Sequence, residues 1–154
     1  MRILALTQRL PYAPNRGDRL RVYHMLRHLR DHADIELVSL VHDDEEASHV
    51  DEVRAFVSRV TALRVSKARR GVNAAAALVT GTPLTHALLD APGMTAALRR
   101  ICESRPPDVV FAYGSGMARF AMQPPLDHVP LVLDFVDVDS CKWRDMAAAG
   151  APPR

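Results

Sequence analysis

Three polar stretches hold most of the residues that could do chemistry in this 154-residue chain. The first follows an apolar run at 2–7 and contains Asn15, Arg16, Gly17, Asp18 and Arg19. The second follows the run 108–113 and reads Tyr113-Gly114-Ser115-Gly116. The third follows the run 129–135 and supplies Asp137, Asp139 and Ser140, with Asp134 just before it. Glycines, hydroxyls and carboxylates gathered in one place suit a polyhydroxylated or phosphorylated ligand. Gly17 reads in two ways. It is either a turn glycine at positive φ, or a point of close backbone approach to a ligand at the start of the next helix, where free amides favour an anion. Asp137 and Asp139 also read in two ways. One caps a following helix together with Ser140, or a carboxylate at a strand end orients or deprotonates a sugar hydroxyl. Two positions apart on an extended segment, they point to opposite sides, so one of them faces a cleft.

Other signals exclude more than they assign. His24 and His28 have zinc-like i, i+4 spacing but neither a third ligand nor an HExxH context, so they read as a surface or hydrogen-bonded pair and no metal is expected. Trp143, between Lys142 and Arg144, is either a half-buried anchor or an aromatic platform for a sugar ring or a lipid interface. Cys141 has no evident base beside it. There is no GxGxxG after the first apolar run, no GxxxxGK[ST] and no GxSxG, which argues against a nicotinamide oxidoreductase, a P-loop enzyme and a serine hydrolase of the elbow type. Two cysteines make no disulfide framework, and no apolar run reaches the length of a membrane span or a secretory signal. A cytoplasmic setting is expected.

Net charge is only +2, but it is blocked: residues 9–30 carry six arginines against Asp18, residues 31–52 carry nine acids and no Lys or Arg, and 59–70 are basic again. The blocks are either solvated faces or places where the chain meets something anionic, such as phosphates or an acidic membrane surface. Near-neutral balance, with no basic motif interleaved with aromatics, argues against nucleic acid.

The elements that must position these residues follow from periodicity. Runs 2–7, 35–41, 61–65, 108–113 and 129–135 read as buried strands. A helix from Asp18 puts Val22, Met25, Leu26 and Leu29 on one stripe. Ser48 and Asp51 resemble a capping box opening a helix with Val50, Val53, Val57 and Val60 on one face. Residues 71–91 are helical in part, broken around Gly81 and Pro83. Met94, Ala97, Leu98 and Ile101 mark another helix, stopped by Pro106-Pro107. A short helix follows Gly116, and a last one runs through Lys142, Trp143 and Met146. The alternation predicts an α/β fold, Rossmann-like, with a mainly parallel sheet and helices on both faces. Because open parallel sheets bind ligands outside the carboxyl ends of their strands, the loops after 2–7, 108–113 and 129–135 should share one rim.

Two segments carry a family resemblance: Pro11-Tyr12-Ala13-Pro14-Asn15-Arg16-Gly17-Asp18 after the first strand, and Val136-Asp137-Val138-Asp139-Ser140-Cys141-Lys142-Trp143 after the last. Together they resemble the N-terminal half of family 4 glycosyltransferases of the GT-B fold, closest to the sugar transferases associated with PEP-CTERM/exosortase exopolysaccharide loci. The middle, about 45–105, matches in pattern alone. The resemblance implies a retaining, metal-independent transfer from a nucleotide-sugar donor, a co-substrate with no other cofactor, to a glycan or lipid-linked acceptor. Residues 1–146 would be the acceptor-side lobe and 147–154 a linker or tail. On that resemblance the donor-binding second lobe, with its paired glutamates, would be missing from these residues, and the chain alone should not turn over. Gly17 would lie beside the interlobe cleft. Asp137 would be the hydroxyl-orienting catalytic group. Gly17 would let its loop approach donor phosphate, and Arg16 and Arg19 would meet a lipid-phosphate or sugar-phosphate acceptor; Asn15, Tyr113, Gly114, Ser115 and Asp139 join them as candidate acceptor- or phosphate-binding residues from their place on the expected shared rim. The expected setting is cytoplasmic, with peripheral contact at the inner membrane. The competing expectation is a stand-alone α/β binding or regulatory module of flavodoxin or receiver type.

Overall fold

The computed structural model describes residues 1–66, 71–73, 80, 84–136, 144–145, 148 and 150. The run Arg2–Thr7 forms β1, whose six residues are all buried. A strand covered on both faces needs a continuous apolar run rather than alternation, and that is what RILALT supplies. β1 is the centre of a five-stranded parallel sheet with β2 (Asp34–Val41), β3 (Arg59–Arg64), β4 (Val109–Tyr113) and β5 (Leu131–Asp134), in the order β3-β2-β1-β4-β5. The chain winds outward from β1 to β3, then returns to lay β4 on the other side of β1. That reversal creates a topological switch point between β1 and β4.

Side chains alternate across the sheet, so each face gets its own core. On one face Ile3, Ala5, Leu37 and Phe111 pack with Val22 and Leu26 of helix α1 (Gly17–Leu29) and with Val53 and Phe56. On the other, Leu4, Leu6, Val38, Leu40 and Ala112 pack with Met94, Leu98 and Ile101 and with Met117 and Ala121. Helices cover both faces, as the alternation of elements predicts. The α1 stripe holds: Val22 and Leu26 are buried, and Met25 and Leu29 pack at its margin.

Between β2 and β3 the chain differs from the predicted single helix. It forms two short ones, α2 (Asp44–Ser48) and α3 (Val50–Arg54), and Ser48 ends the first instead of capping the second. Its hydroxyl donates to the Glu45 carbonyl at 2.7 Å. The cap is Asp43, whose Oδ1 accepts from the Glu46 N–H at 2.7 Å. Val60 belongs to β3, because the Ser58 N–H donates to the Ile35 carbonyl at 2.8 Å and draws the chain into the sheet. β3 accordingly starts two residues before the predicted 61–65, and β5 is shorter than the predicted 129–135.

Of the predicted helical region 71–91 the described residues are 71–73, 80 and 84–91; residues 71–73 and Thr80 are helical, and helix α4 spans Leu84–Leu88. Helix α5 spans Met94–Ser104 and buries Met94, Ala97, Leu98 and Ile101, the predicted stripe. It is entered through Gly93 at φ 88° and left through extended Arg105, the conformation a residue before proline prefers. Helix α6 (Ser115–Ala121) follows β4 directly. Of the predicted final helix, Arg144, Asp145 and Ala148 are helical, while Lys142, Trp143 and Met146 lie outside the described residues.

Candidate functional site

The strand register places the three predicted loops together. Thr7 is level with Tyr113, and Tyr113 with Asp134, so β1, β4 and β5 end side by side on one rim. At the switch point the backbone turns through Gly114 at φ 91°. A Cβ there would lie 3.2 Å from Gln8 Oε1, so the Gln8 side chain rests on the Gly114 backbone. The Gly114 N–H donates to the Asp134 carbonyl at 2.8 Å, locking the ends of β4 and β5 together. Beneath them Thr7 Oγ1 donates to Ser39 Oγ at 2.9 Å, with both side chains buried.

The loop between β1 and α1 is held by one carboxylate. Glu46, in α2, has no exposed side-chain surface. Its Oε1 accepts from the Leu10 N–H at 3.1 Å and from Arg19 Nη2 at 3.2 Å. Its Oε2 accepts from the His42 N–H at 2.8 Å, with Arg9 Nη1 at 3.7 Å. His42 completes the tie, its Nε2 lying 2.8 Å from the Gln8 carbonyl. A buried carboxylate needs this many donors to offset its lost hydration. It thereby ties together the turns after β1 and β2 and the first turn of α1.

Over this hub opens a polar pocket of about 320 Å³, lined by Asn15, Arg16 and Arg19 from the α1 side and by Asp43, Glu45 and His49 from the α2 side. Arg9 and Glu46 form its floor with Ala13. Three arginines meet three carboxylates there, so the pocket carries donors and acceptors in balance and no net charge from these six groups. The basic block 9–30 and the acidic block 31–52 meet through Glu46 and through Arg30 on Asp31, while other acids of the second block pair outside the first. Arg64 on Asp44 at 2.6 Å repeats the pattern nearby, and Arg21 reaches across to Asp134 at 2.9 Å.

The predicted site residues fall into four groups. Asn15, Arg16 and Arg19 line the pocket, and Arg19 is already engaged by Glu46 while Arg16 is 59% exposed with Asp18 at 3.6 Å. Gly17 is the first residue of α1, with open space where a Cβ would be and no positive φ, so the turn-glycine alternative is overturned there and the positive φ belongs to Gly114. Ser115 is half-buried at the start of α6, and Tyr113 is buried in the core beside Phe111, at 6.4 Å between ring centroids. Asp137 and Asp139 lie outside the described residues, as do Ser140 and Cys141. Sequence reasoning missed Gln8, Arg9, His42, Asp43 and Glu46. The available signal was the Asp43-x-x-Glu46 spacing directly after a strand, a capping pattern.

Among the described residues no group of three or more His, Cys, Asp or Glu side chains is placed to hold a metal, and His24 and His28 are both exposed. No helix among them is long and apolar enough to cross a membrane. No family model, no curated protein and no solved structure matches the chain.

Proposed function

We propose that the rim pocket binds the hydroxyl groups of a sugar, and that the chain is the acceptor-side lobe of a two-lobed glycosyltransferase acting on a glycan or lipid-linked acceptor in exopolysaccharide synthesis. The observation that carries this reading is the balanced pocket between the loops after β1 and β2, at the carboxyl end of the strands, the end at which open parallel sheets receive ligands. Hydroxyl groups both donate and accept, so they suit a wall of alternating guanidinium, amide and carboxylate groups. A phosphate would find Arg19 hydrogen-bonded to Glu46 and Arg9 in looser ionic contact with the same carboxylate at 3.7 Å, leaving Arg16 as the most exposed of the three pocket arginines.

The transferase class rests on the resemblance of the 11–18 and 136–143 segments. In that reading a second lobe brings the nucleotide sugar and transfer is retaining and metal-independent. Asp137 orients or deprotonates the acceptor hydroxyl, next in sequence to Val136, whose N–H donates to Asp134 Oδ1 at 3.0 Å on the rim. Arg16 and Asn15 hold the acceptor while Gly114 and Ser115 border the crevice.

The test is a titration of the isotope-labelled chain with a panel of neutral oligosaccharides, followed by amide shifts. Saturable shifts at Asn15, Arg16 and Glu45, weakened about tenfold in Asn15→Ala through loss of one or two hydrogen bonds, are the expected result. A panel that leaves those amides unmoved, or an Asn15→Ala chain that binds as well as the parent, rejects the sugar reading.

A further inference from the structure

A second concavity lies at the opposite end of the sheet. Arg59 of β3 is level with Glu36 of β2, and Arg2 of β1 pairs with the same Glu36. The last turn of α5 overhangs them, bringing Ser104 and Arg105. The groove so formed measures about 310 Å³. An adjoining one of about 320 Å³ shares Glu36, Arg59 and Ser104 and adds Arg100.

The donor inventory here is lopsided. A guanidinium has five N–H donors and no acceptor. Four guanidiniums, of Arg2, Arg59, Arg100 and Arg105, line the two grooves against the carboxylates of Asp34 and Glu36, a surplus of two positive charges. Arg105 Nη1 donates to Asp34 Oδ2 at 2.8 Å, and Ser58 also donates to Asp34. Arg59 stands 67% exposed, with its nearest carboxylate oxygen 3.9 Å away, beyond hydrogen-bond reach. Arg2 is the sharpest case: its side chain is 7% exposed, its Nη2 pairs with Glu36 Oε2, and its Nη1 has no hydrogen-bond partner, nor has the buried Glu36 Oε1. Native structures rarely leave a buried charged donor unpaired.

We propose that this groove is an oxyanion site for a phosphate group, free or carried as a phosphomonoester. Donors come from β1, β3 and α5 and so approach from three sides, which suits a tetrahedral group better than a planar carboxylate. The hydroxyls of Ser58 and Ser104 also line the wall, their protons given to Asp34 and to the Ile101 carbonyl, so the guanidiniums are the donors left for a ligand. The site lies a sheet's length from the rim pocket and stands whether or not the rim binds a sugar.

The isotope-labelled full chain is titrated with inorganic phosphate, replacing chloride at constant ionic strength. Saturable shifts at Ser58, Arg59 and Ser104 are expected, with Arg16 and Gly114 unmoved. The double variant Arg59→Ala/Arg100→Ala, both exposed positions, should keep the remaining spectrum and weaken binding at least about tenfold, the effect of one charged contact. Shifts that never saturate, shifts spread over the whole surface, or unchanged affinity in the double variant overturn the proposal. Glycerol phosphate binding more tightly than phosphate marks an esterified ligand; equal binding marks free phosphate.

Discussion

Glu46 is the residue on which the rim depends. Removing its carboxylate strands two backbone N–H groups, those of Leu10 and His42, of which Leu10 is fully buried. Each unpaired buried donor costs about 1–3 kcal/mol, so Glu46→Ala should destabilise the chain by roughly 3–5 kcal/mol, in line with breaking a buried ionic group. Glu46→Gln keeps one acceptor but turns an NH₂ toward the second donor, and should lose about 2 kcal/mol. Urea unfolding at neutral pH measures both, and two variants within about 0.5 kcal/mol of the parent would show that the carboxylate is not the tie. In sequence Glu46 was invisible as a hub because Asp43, Asp44, Glu45 and Glu46 form one acidic run. Only the cap at Asp43 sets the helix phase that turns the fourth inward. The two rim glycines make the same point in reverse. Gly17 stood out by its place in a motif, yet Gly114 carries the backbone constraint. Gly114→Ala combines a positive φ with a 3.2 Å contact to Gln8 and should cost about 1–3 kcal/mol. Gly17→Ala, with open space around it, should fall within about 0.5 kcal/mol of the parent, on the stabilising side through helix propensity. Thermal melts of the two variants separate these outcomes directly.

At the scale of elements, legibility followed length and period. α5 was readable because its apolar positions recur over three turns and Pro106-Pro107 follow at once. β1 and β4 were readable because strands buried on both faces are unbroken apolar runs. The region 43–58 was not: α2 and α3 are five residues each, too short for a period to show. Their valines at 50, 53, 57 and 60 mimic a helical stripe although two of them lie beyond the helix. What ends that stripe is tertiary, the bond from Ser58 to Ile35 that starts β3. Elements are also joined by charge at the amino ends of the strands. Asp34, opening β2, takes Ser58 before β3 and Arg105 after α5, and these contacts hold its carboxyl below the ordinary aspartate range. A depressed pKa in the folded state contributes stability that is present above the unfolded value and is lost as pH falls through the folded one. The parent should therefore lose stability more steeply than Asp34→Asn below the ordinary aspartate range, with the two curves running parallel at neutral pH. Urea midpoints collected across that acid range check it; parallel curves throughout would mean the three elements are not clamped through this carboxylate.

At the scale of the molecule, the fold is committed by a long-range closure. β1 is the central strand, yet one of its two partners, β2, begins 32 residues after β1 starts while the other, β4, begins 107 residues after it. Without β4 the strand that should be most buried becomes an edge, with five paired positions from Ile3 to Thr7 opened to water. The core on the α5 face would also lose Val110, Ala112, Met117 and Ala121 together. Those losses fall on both cores at once, since Phe111 and Tyr113 belong to the opposite face. The β1–β3 half is thus no independent unit, in spite of holding three of five strands and α1. A chain of residues 1–104 should give a broad, non-cooperative urea transition, and adding a 105–154 peptide should restore a single sharp one by supplying β4 and β5. A sharp transition from 1–104 alone would mean that β1–β3 with their helices bury enough surface to fold unaided. The rim pocket would then be separable from the switch point, for its walls lie entirely between Arg9 and His49.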